Sequence, residues 1–430
     1  MHAPLSPTLR VEWRAISGLE SILAEWRSLA ARALEPNVFY DPAFALAAAP
    51  VFGKGCGAVL VWTKGGTLLG LFPARLTGLR QGALPTPAGW TRPYAPLGVP
   101  LVDRDEAPAV IAAWLEHLAH DPATPALLLL PMVPETGAFA RALETVLSYH
   151  DLPHAAFGQH RRAMLKRGNN QDDQTVSPRR RKELQRQRRR LEEFAPVTFS
   201  SVSAPQPAAS ALEDFLVLEA SGWKGLAQTA AANDPAVRRF VEIAVTSLAA
   251  QGQARIDRMQ LGGQAVAVAI TLKSGETGWF WKIAYNEGVA RFSPGVQLVH
   301  ELTPELAAQP GMAQVDSCAT AGHPMMDHMW HGRLALADRL IAVKRTALPF
   351  GLIGRLETLR RAALSAAKAL RGRLRGGRAE TPSGPGAQQP ANHFSGRGHR
   401  HLRDKGDLAR ILVGGQPGAH EALDVGGKRV

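Results

Sequence analysis

The chain has 430 residues, of which 45% are hydrophobic and 20% are charged, so it can bury a sizeable core and we expect two domains. The formal net charge of +13 is concentrated in two segments: residues 344–430 hold 17 Lys and Arg against 6 Asp and Glu, and residues 161–193 hold 12 against 5. The rest of the chain is mildly acidic, which argues against nucleic-acid binding as the main function.

The two cysteines, Cys56 and Cys318, belong to no Cys-x-x-Cys or Cys/His pattern, so we expect no zinc site. Two free thiols fit a reducing compartment. The N-terminus lacks a charged region followed by an apolar stretch, and no apolar run approaches the length of a membrane span. These features predict a cytoplasmic protein.

The first half begins with an alternating strand over residues 9–15, followed by a helix over 19–29 and a short helix entered at Asp41-Pro42. Two strands, 58–64 and 67–75, flank Gly65-Gly66, a dipeptide typical of tight hairpins. A Pro/Gly-rich loop over 90–103, a helix over 107–119 and a short buried strand over 126–130 complete this half.

A polar linker over residues 167–176 leads to Ser177-Pro178, which predicts an N-cap and first-turn proline for a basic helix ending near Phe194. The second half then repeats the first in outline. We expect a strand at 197–203, helices at 208–221 and 234–251, and a hairpin at Gly262-Gly263. A strand over 278–285, a helix over 295–308 and a short strand over 313–317 follow. Beyond them, 349–375 reads as a basic amphipathic helix and 377–430 as a disordered tail.

The loop between strand 278–285 and the following helix is the first candidate site. A helix N-terminus offers free backbone amides and a positive dipole end, which suit a pyrophosphate, and the glycine lets the backbone approach closely. An ordinary strand-to-helix turn has the same features. The candidate cofactor residues are Arg291, Ser293, Pro294, Gly295, Val296, Gln297 and Leu298.

A second candidate site follows strand 313–317. Asp316 at the strand end and His323 in the next loop could form an acid/base pair near a substrate amine. Packing or loop roles suit the same residues, and the His328/His331 pair lacks the pattern of a tetrahedral metal site. Cys318 has no activating neighbours, so we do not expect it to be a nucleophile.

Aromatic and cationic residues mark a third region. Trp223 and Lys224 stand between two glycines and suit recognition of an acceptor or an anionic group, as do Lys282 and Trp330. Trp279, Trp281 and Tyr285 share one face of their strand by alternation, which is equally typical of a buried aromatic stripe.

Four segments together resemble the GNAT-domain acyltransferases of the CelD type. These are bacterial proteins associated with cellulose and exopolysaccharide biosynthesis and distantly similar to FemAB aminoacyltransferases. The segments are Ala220-Ser221-Gly222-Trp223-Lys224-Gly225, Trp281-Lys282-Ile283-Ala284-Tyr285-Asn286-Glu287, Phe292-Ser293-Pro294-Gly295-Val296 and Val315-Asp316-Ser317-Cys318. In the first half, residues 90–103 resemble the same family, so the likeness covers roughly 10–345.

The resemblance implies an α/β fold of tandem GNAT-like domains with mixed, mostly antiparallel sheets flanked by helices. It implies a structural N-terminal half (1–165), a linker and basic helix (166–195) and a C-terminal acetyltransferase domain (196–345), before the basic helix (346–376) and the tail. The implied reaction moves an acyl group from acyl-CoA, for example acetyl-CoA, to an amine or hydroxyl without a metal. Ser-Pro-Gly-Val-Gln-Leu replaces the usual GNAT phosphate-loop pattern Arg/Gln-x-x-Gly-x-Gly/Ala.

On this hypothesis backbone amides at 295–298 hold the pyrophosphate, and strand backbone near Tyr285 holds the thioester carbonyl. Asp316 or His323 accepts the acceptor's proton, while Trp223 and Lys224 shape the acceptor pocket. Two alternatives remain. FemAB-like aminoacyl transfer from tRNA would use the basic helix at 179–190. A non-catalytic scaffold of a polysaccharide-synthase complex would use helix 349–375 to contact acidic partners or the inner membrane surface.

Overall fold

The computed structural model describes residues 9–77, 86–168 and 177–376. The predicted tail at 377–430 and most of the linker at 167–176 lie outside these ranges. The chain divides into two compact units that interleave along the sequence. Among the described residues, unit 1 contains 9–37, 55–77, 86–160 and 335–376, and unit 2 contains 38–54, 161–168 and 177–334.

The strands are numbered in chain order. They are β1 (Arg10–Ala15), β2 (Cys56–Trp62), β3 (Leu68–Thr77), β4 (Thr86–Gly89), β5 (Leu101–Val102), β6 (Leu127–Pro134), β7 (His154–Lys166), β8 (Val197–Val202), β9 (Ala254–Leu261), β10 (Gln264–Ser274), β11 (Thr277–Tyr285), β12 (Gln314–Asp316) and β13 (Gly332–Ala342).

The helices are numbered in the same way. They are α1 (Leu23–Arg32), α2 (Pro42–Phe52), α3 (Ala107–His120), α4 (Ala138–Tyr149), α5 (Pro178–Glu192), α6 (Pro205–Ser221), α7 (Trp223–Leu226), α8 (Pro235–Ala250), α9 (Pro294–Ala308), α10 (Met326–Met329) and α11 (Phe350–Gly376). Among the described residues, no helix combines the length and apolar character needed to cross a bilayer.

In unit 1 the strands follow the order β1-β2-β3-β4-β6-β13. All neighbours are antiparallel except β4 and β6, which share one parallel pair, Ala88 with Leu129. Helix α3 packs on this sheet, and the ring of Trp114 stacks on Phe72 at a centroid distance of 4.0 Å. Strand β13, which pairs with β6, comes from a segment about 200 residues later in the chain.

In unit 2 the order is β7-β12-β11-β10-β9-β8. The pair β11/β12 is parallel and the others are antiparallel. Residues 164–166 of β7 pair with β12, so this sheet is completed by a strand from the middle of the chain. The element order of the first half recurs here, including the single parallel pair, as the outlined duplication predicts.

The local sequence accounts for the turns and helix starts. Gly66, Gly262 and Gly263 adopt positive φ in the two predicted hairpins, a conformation that costs glycine little. Ser177 caps α5 by accepting a hydrogen bond from the Arg180 amide at 3.3 Å, which confirms the predicted start of that helix.

The units differ from the contiguous division at residue 165 because α2 belongs to unit 2. The ring of Phe44 on α2 lies 5.3 Å from Phe240 and 5.5 Å from Trp281, measured between centroids, in edge-to-face contacts. Such buried aromatic contacts hold α2 against α8 and β11. The sequence analysis also missed α4, β4 and the long β7, whose alternation is interrupted by polar residues and Gly158.

Candidate functional site

The candidate site of unit 2 lies where β11 and β12 part. Parallel pairing covers only Thr277 to Trp279 on β11, and β11 continues to Tyr285. Strand β12 ends at Asp316, and Cys318 then adopts φ +52°, which turns the chain away. Beyond Trp279, β12 therefore no longer pairs with β11. The backbone groups of β11 on that side can pair with a bound ligand.

Helix α9 begins beside this edge. Pro294 occupies its first turn, and Ser293 precedes it in the left-handed region with no side-chain cap. Proline has no amide hydrogen, and the Gln297 amide already bonds the Ser293 carbonyl at 3.0 Å. The amides of Gly295 and Val296 are consequently the donors that this helix start can offer to an anion.

Tyr285 is the closest neighbour of that helix start. A Cβ added at Gly295 would lie 3.4 Å from Cδ1 of Tyr285, so the ring lies against this helix start and a side chain larger than alanine would press on it. Tyr285 is 38% exposed, and burial together with the Glu287 carboxylate raises its phenol pKa. The phenol therefore keeps its proton at neutral pH and can donate it.

The remaining predicted cofactor residues have structural contacts. Gln297 is buried, and its Nε2 donates to the Phe292 carbonyl at 2.7 Å while its Oε1 accepts from Arg188 Nε at 3.3 Å. Leu298 lies in the hydrophobic core of unit 2. The guanidinium of Arg291 lies 4.6 Å from the centroid of the Phe292 ring. Gln297 thus ties the loop before α9 to the helix, and Leu298 anchors the helix in the core.

A group of charged side chains surrounds Lys282 on β11. The lysine pKa is lowered to about 8, first by burial and then by the charge of Lys224, whereas Glu219 and Cys318 act in the opposite direction. Lys224 Nζ donates to Glu219 Oε1 at 2.7 Å, and the other oxygen of Glu219 accepts from the Ala231 amide at 2.9 Å. A pKa near 8 leaves a substantial neutral amine fraction in the physiological range.

Asp316, the predicted base, is fully engaged inside the protein. Arg162 Nη2 donates to its Oδ2 at 2.5 Å, and the Cys318 amide donates to its Oδ1 at 3.0 Å. Both side chains of the pair are at most 3% exposed. Burial is the main cause that raises the pKa of the Cys318 thiol, and the negative charge of Asp316 raises it further. This thiol therefore stays protonated.

His323 lies at the start of α10. Its Nδ1 accepts a hydrogen bond from the Met326 amide at 3.3 Å, so the neutral ring carries its proton on Nε2. Burial lowers its pKa, while Asp327 opposes that effect. Among the described residues no group of three or more His, Cys, Asp or Glu is arranged to hold a metal ion.

Trp223 and Trp330 differ in solvent exposure. Trp223 is 57% exposed, and its amide donates to Glu287 Oε1 at 2.8 Å, which ties α7 to the end of β11 near Tyr285. Trp330 is fully buried, packs edge-to-face on Phe280, and donates from Nε1 to Thr303 at 3.0 Å. We therefore assign Trp330 to the hydrophobic core rather than to the acceptor pocket.

Sequence reasoning missed Glu219 and Arg162. Glu219 continues the buried stripe of Leu212, Phe215 and Leu216 on α6 at helical spacing, so a carboxylate on an apolar face was the available signal. Arg162 follows Arg161 in a polar stretch of β7 and carries no comparable signal, because its burial depends on a distant partner.

One family model matches part of the chain. Residues 178–323 match the family model described as "Acetyltransferase (GNAT) domain". This range contains α5 through the start of the His323 loop, and with the mixed sheets it confirms the predicted α/β GNAT-type fold. No curated protein matches the chain.

Several solved structures are similar to the chain at low identity. A conserved protein of unknown function from Bacteroides thetaiotaomicron is 9% identical with a TM-score of 0.46, covering 77% of this chain and 99% of that one. FemX is 10% identical with a TM-score of 0.49, covering 74% and 95%. A tandem GNAT protein from the clavulanic acid biosynthesis pathway is 12% identical with a TM-score of 0.38, covering 79% and 99%.

Proposed function

We propose that this protein, whose residues 178–323 match the GNAT acetyltransferase family model, transfers an acyl group from acyl-CoA to an amine or hydroxyl acceptor. The observation that carries the proposal is the junction of the parted strands β11 and β12 with the start of α9. There two free amides and a protonated tyrosine lie side by side. Such a junction suits a donor that carries both a pyrophosphate and a reactive carbonyl.

In the proposed complex the pyrophosphate contacts the amides of Gly295 and Val296. The pantetheine arm follows the edge of β11 away from Tyr285, and backbone amides farther along that strand, toward Lys282, polarise the thioester carbonyl. The acceptor atom attacks that carbonyl, the carbon–sulfur bond breaks, and the thiolate leaves. The thiolate takes up the proton that the acceptor loses, and Tyr285, whose raised pKa keeps the phenol protonated, can donate to the pyrophosphate.

The acceptor must also lose a proton. Asp316 has both oxygens occupied, and His323 presents a protonated Nε2 while its Nδ1 holds the Met326 amide. Lys282 supplies a neutral amine, about a tenth of the population at pH 7 for a pKa about 8. We therefore propose Lys282 as the proton acceptor. Asp316 positions the end of β12, and Trp223 with Lys224 borders the acceptor.

Calorimetry with acetyl-CoA and longer acyl-CoAs tests the proposal. We expect binding in the micromolar range, and a Gly295→Val variant should raise the dissociation constant at least about tenfold because the new side chain presses on Tyr285. The matched control is Glu301→Gln on the same helix, which should bind normally. Folded protein that binds no acyl-CoA at high micromolar concentration would rule out the proposed donor.

A second candidate, aminoacyl transfer from tRNA, is favoured by α5. Its residues 178–182 are all exposed and include Arg179, Arg180, Arg181 and Lys182. Reversing the charge of Arg179, Arg180 and Lys182 leaves the buried Leu184 and Leu191 intact, so the fold should survive. If aminoacyl-tRNA is the donor, transfer should be abolished. If acyl-CoA is the donor, transfer should be unchanged.

The physiological setting rests on the motif resemblance alone. We propose a cytoplasmic enzyme that acylates a cellulose, exopolysaccharide or cell-envelope precursor. The rival reading is a non-catalytic scaffold in a polysaccharide-synthase complex. An acceptor screen with amino sugars, nucleotide sugars and simple amines separates them, since a scaffold produces no coenzyme A release with any acceptor.

A further inference from the structure

Helix α11 presents an apolar stripe that no described residue covers. Leu352, Leu356, Leu359 and Leu370 are 42%, 39%, 67% and 58% exposed. Together with the exposed Ala363 and Ala366 they recur at alternating steps of four and three residues, so they share one side of the helix. Exposed leucines scattered singly are ordinary, but a continuous row along one helix indicates a binding surface.

The opposite side of α11 fixes the helix to unit 1. Ile353 is 1% exposed and packs with Leu127, Leu340 and Ala342. Glu357 is buried beside it and accepts from Arg361 Nε at 2.6 Å, and Arg361 Nη1 also donates to Asp338 at 2.7 Å. The leucine stripe is therefore held outward by packing on the other face, rather than being the side on which the helix folds against its own domain.

The charge of α11 decides which occupant fits the stripe. Its sequence contains one acidic residue, Glu357, against seven basic ones, which are Arg355, Arg360, Arg361, Lys368, Arg371, Arg373 and Arg375. A second copy of this helix would bring like charges together along the seam. An anionic lipid surface satisfies both features, because acyl chains accept the leucines and headgroups attract the guanidinium groups.

We propose that α11 lies on an anionic lipid bilayer through the stripe Leu352, Leu356, Leu359 and Leu370. The helix of 27 residues is about 40 Å long at the usual rise, so it can lie along the interface over its whole length. Binding through one amphipathic helix is reversible and weakens with salt, since both the apolar and the electrostatic contributions are needed.

Co-sedimentation of the full chain with vesicles tests the proposal. We expect binding to phosphatidylcholine vesicles that contain phosphatidylglycerol, little binding to phosphatidylcholine alone, and release at high salt. The double variant Leu356→Asp with Leu359→Asp should weaken binding at least about tenfold, because two leucines that would enter the bilayer are lost and two negative charges face the lipid.

The matched control is Thr358→Asp, an exposed position on α11 outside the stripe. This variant adds a charge without removing a leucine and should lose much less binding. Circular dichroism and the melting temperature verify that each variant is folded. Absence of vesicle binding by the folded parent chain overturns the proposal. So does a stripe variant that retains vesicle binding, or one that only converts a dimer to a monomer in light scattering, which would identify a second copy as the occupant.

Discussion

The two units part their central strands in the same way but use the opening differently. In unit 1 a cavity of about 540 Å³ lies beside the parallel pair of β4 and β6, and α11 supplies one wall with Arg360, Arg361 and Leu364. In unit 2 the corresponding opening between β11 and β12 lies beside the start of α9, and Lys282 stands on β11 within electrostatic reach of Cys318, which follows β12. Helix α11 thus forms a wall of the opening in unit 1, whereas the groups that we propose for acyl transfer border the opening in unit 2.

The helices that follow the two openings also differ at their first turns. Helix α3 of unit 1 begins directly after Asp105 and Glu106, whereas α9 of unit 2 begins after Phe292 and Ser293. Neither helix start has a side-chain cap, but the carboxylates before α3 repel a phosphate. The same fold can thus keep its strand geometry while losing its anion site through two carboxylates.

The number of acyl-CoA molecules bound per chain tests the difference between the two helix starts directly. We expect one acyl-CoA per chain, because α9 begins without adjacent carboxylates whereas Asp105 and Glu106 directly precede α3. Calorimetry of the full chain measures the ratio directly. A ratio of two that falls to one in the Gly295→Val variant would show that unit 1 binds the donor as well, and the contrast between the two helix starts would then be irrelevant to binding.

The next largest effect is on the buried pair of unit 2. Replacing Arg162 by Met leaves Asp316 buried without its counter-ion, which should lower the free energy of unfolding by about 3–5 kcal/mol. Urea unfolding measures the loss. Adding Asp316→Leu should restore most of the stability, since no charge is then left buried. A loss below about 1 kcal/mol for Arg162→Met would mean that the pair does not hold the end of β12.

Replacing Lys282 tests the proposed proton transfer in unit 2. Lys282→Met should reduce acyl transfer at least about 100-fold, which corresponds to about 2.7 kcal/mol of barrier. In the parent the rate should rise with pH through about 8, as the lysine loses its proton. Lys224→Met removes a repelling charge, so it should raise the Lys282 pKa and move the profile to higher pH. An unshifted profile would assign the proton transfer to another group.

Much of the fold follows from short-range signals in the sequence. The Gly-Gly hairpins, the Ser177-Pro178 start of α5 and the Pro294 start of α9 each depend on residues that are neighbours in the chain. The interleaving of the units could not be predicted in this way. Helix α2 joins unit 2 through Phe44, whose aromatic partners stand about 200 residues away in sequence.

In the candidate site, too, local features follow from neighbouring residues, whereas contacts with residues distant in sequence do not. Gly295 and Tyr285 were identified from a strand-to-helix junction, and they do lie side by side. The role of Asp316 was not foreseen, because Arg162 lies 154 residues earlier in sequence. Trp330 shows the same limit, since an aromatic in a polar loop does not reveal that it faces the core.

The smallest effect concerns the ion pair that supports α11 in unit 1. Arg361 bonds Asp338 and Glu357 but is about a quarter exposed, so solvent screens the pair. Arg361→Gln should cost about 1 kcal/mol in urea unfolding, well below the cost of Arg162→Met, because the partly exposed Asp338 regains water and Glu357 keeps Arg360 as a partner. It should leave acyl transfer unchanged. A loss of transfer in this variant would mean that the wall formed by α11 serves the reaction, and the two openings would no longer be functionally distinct.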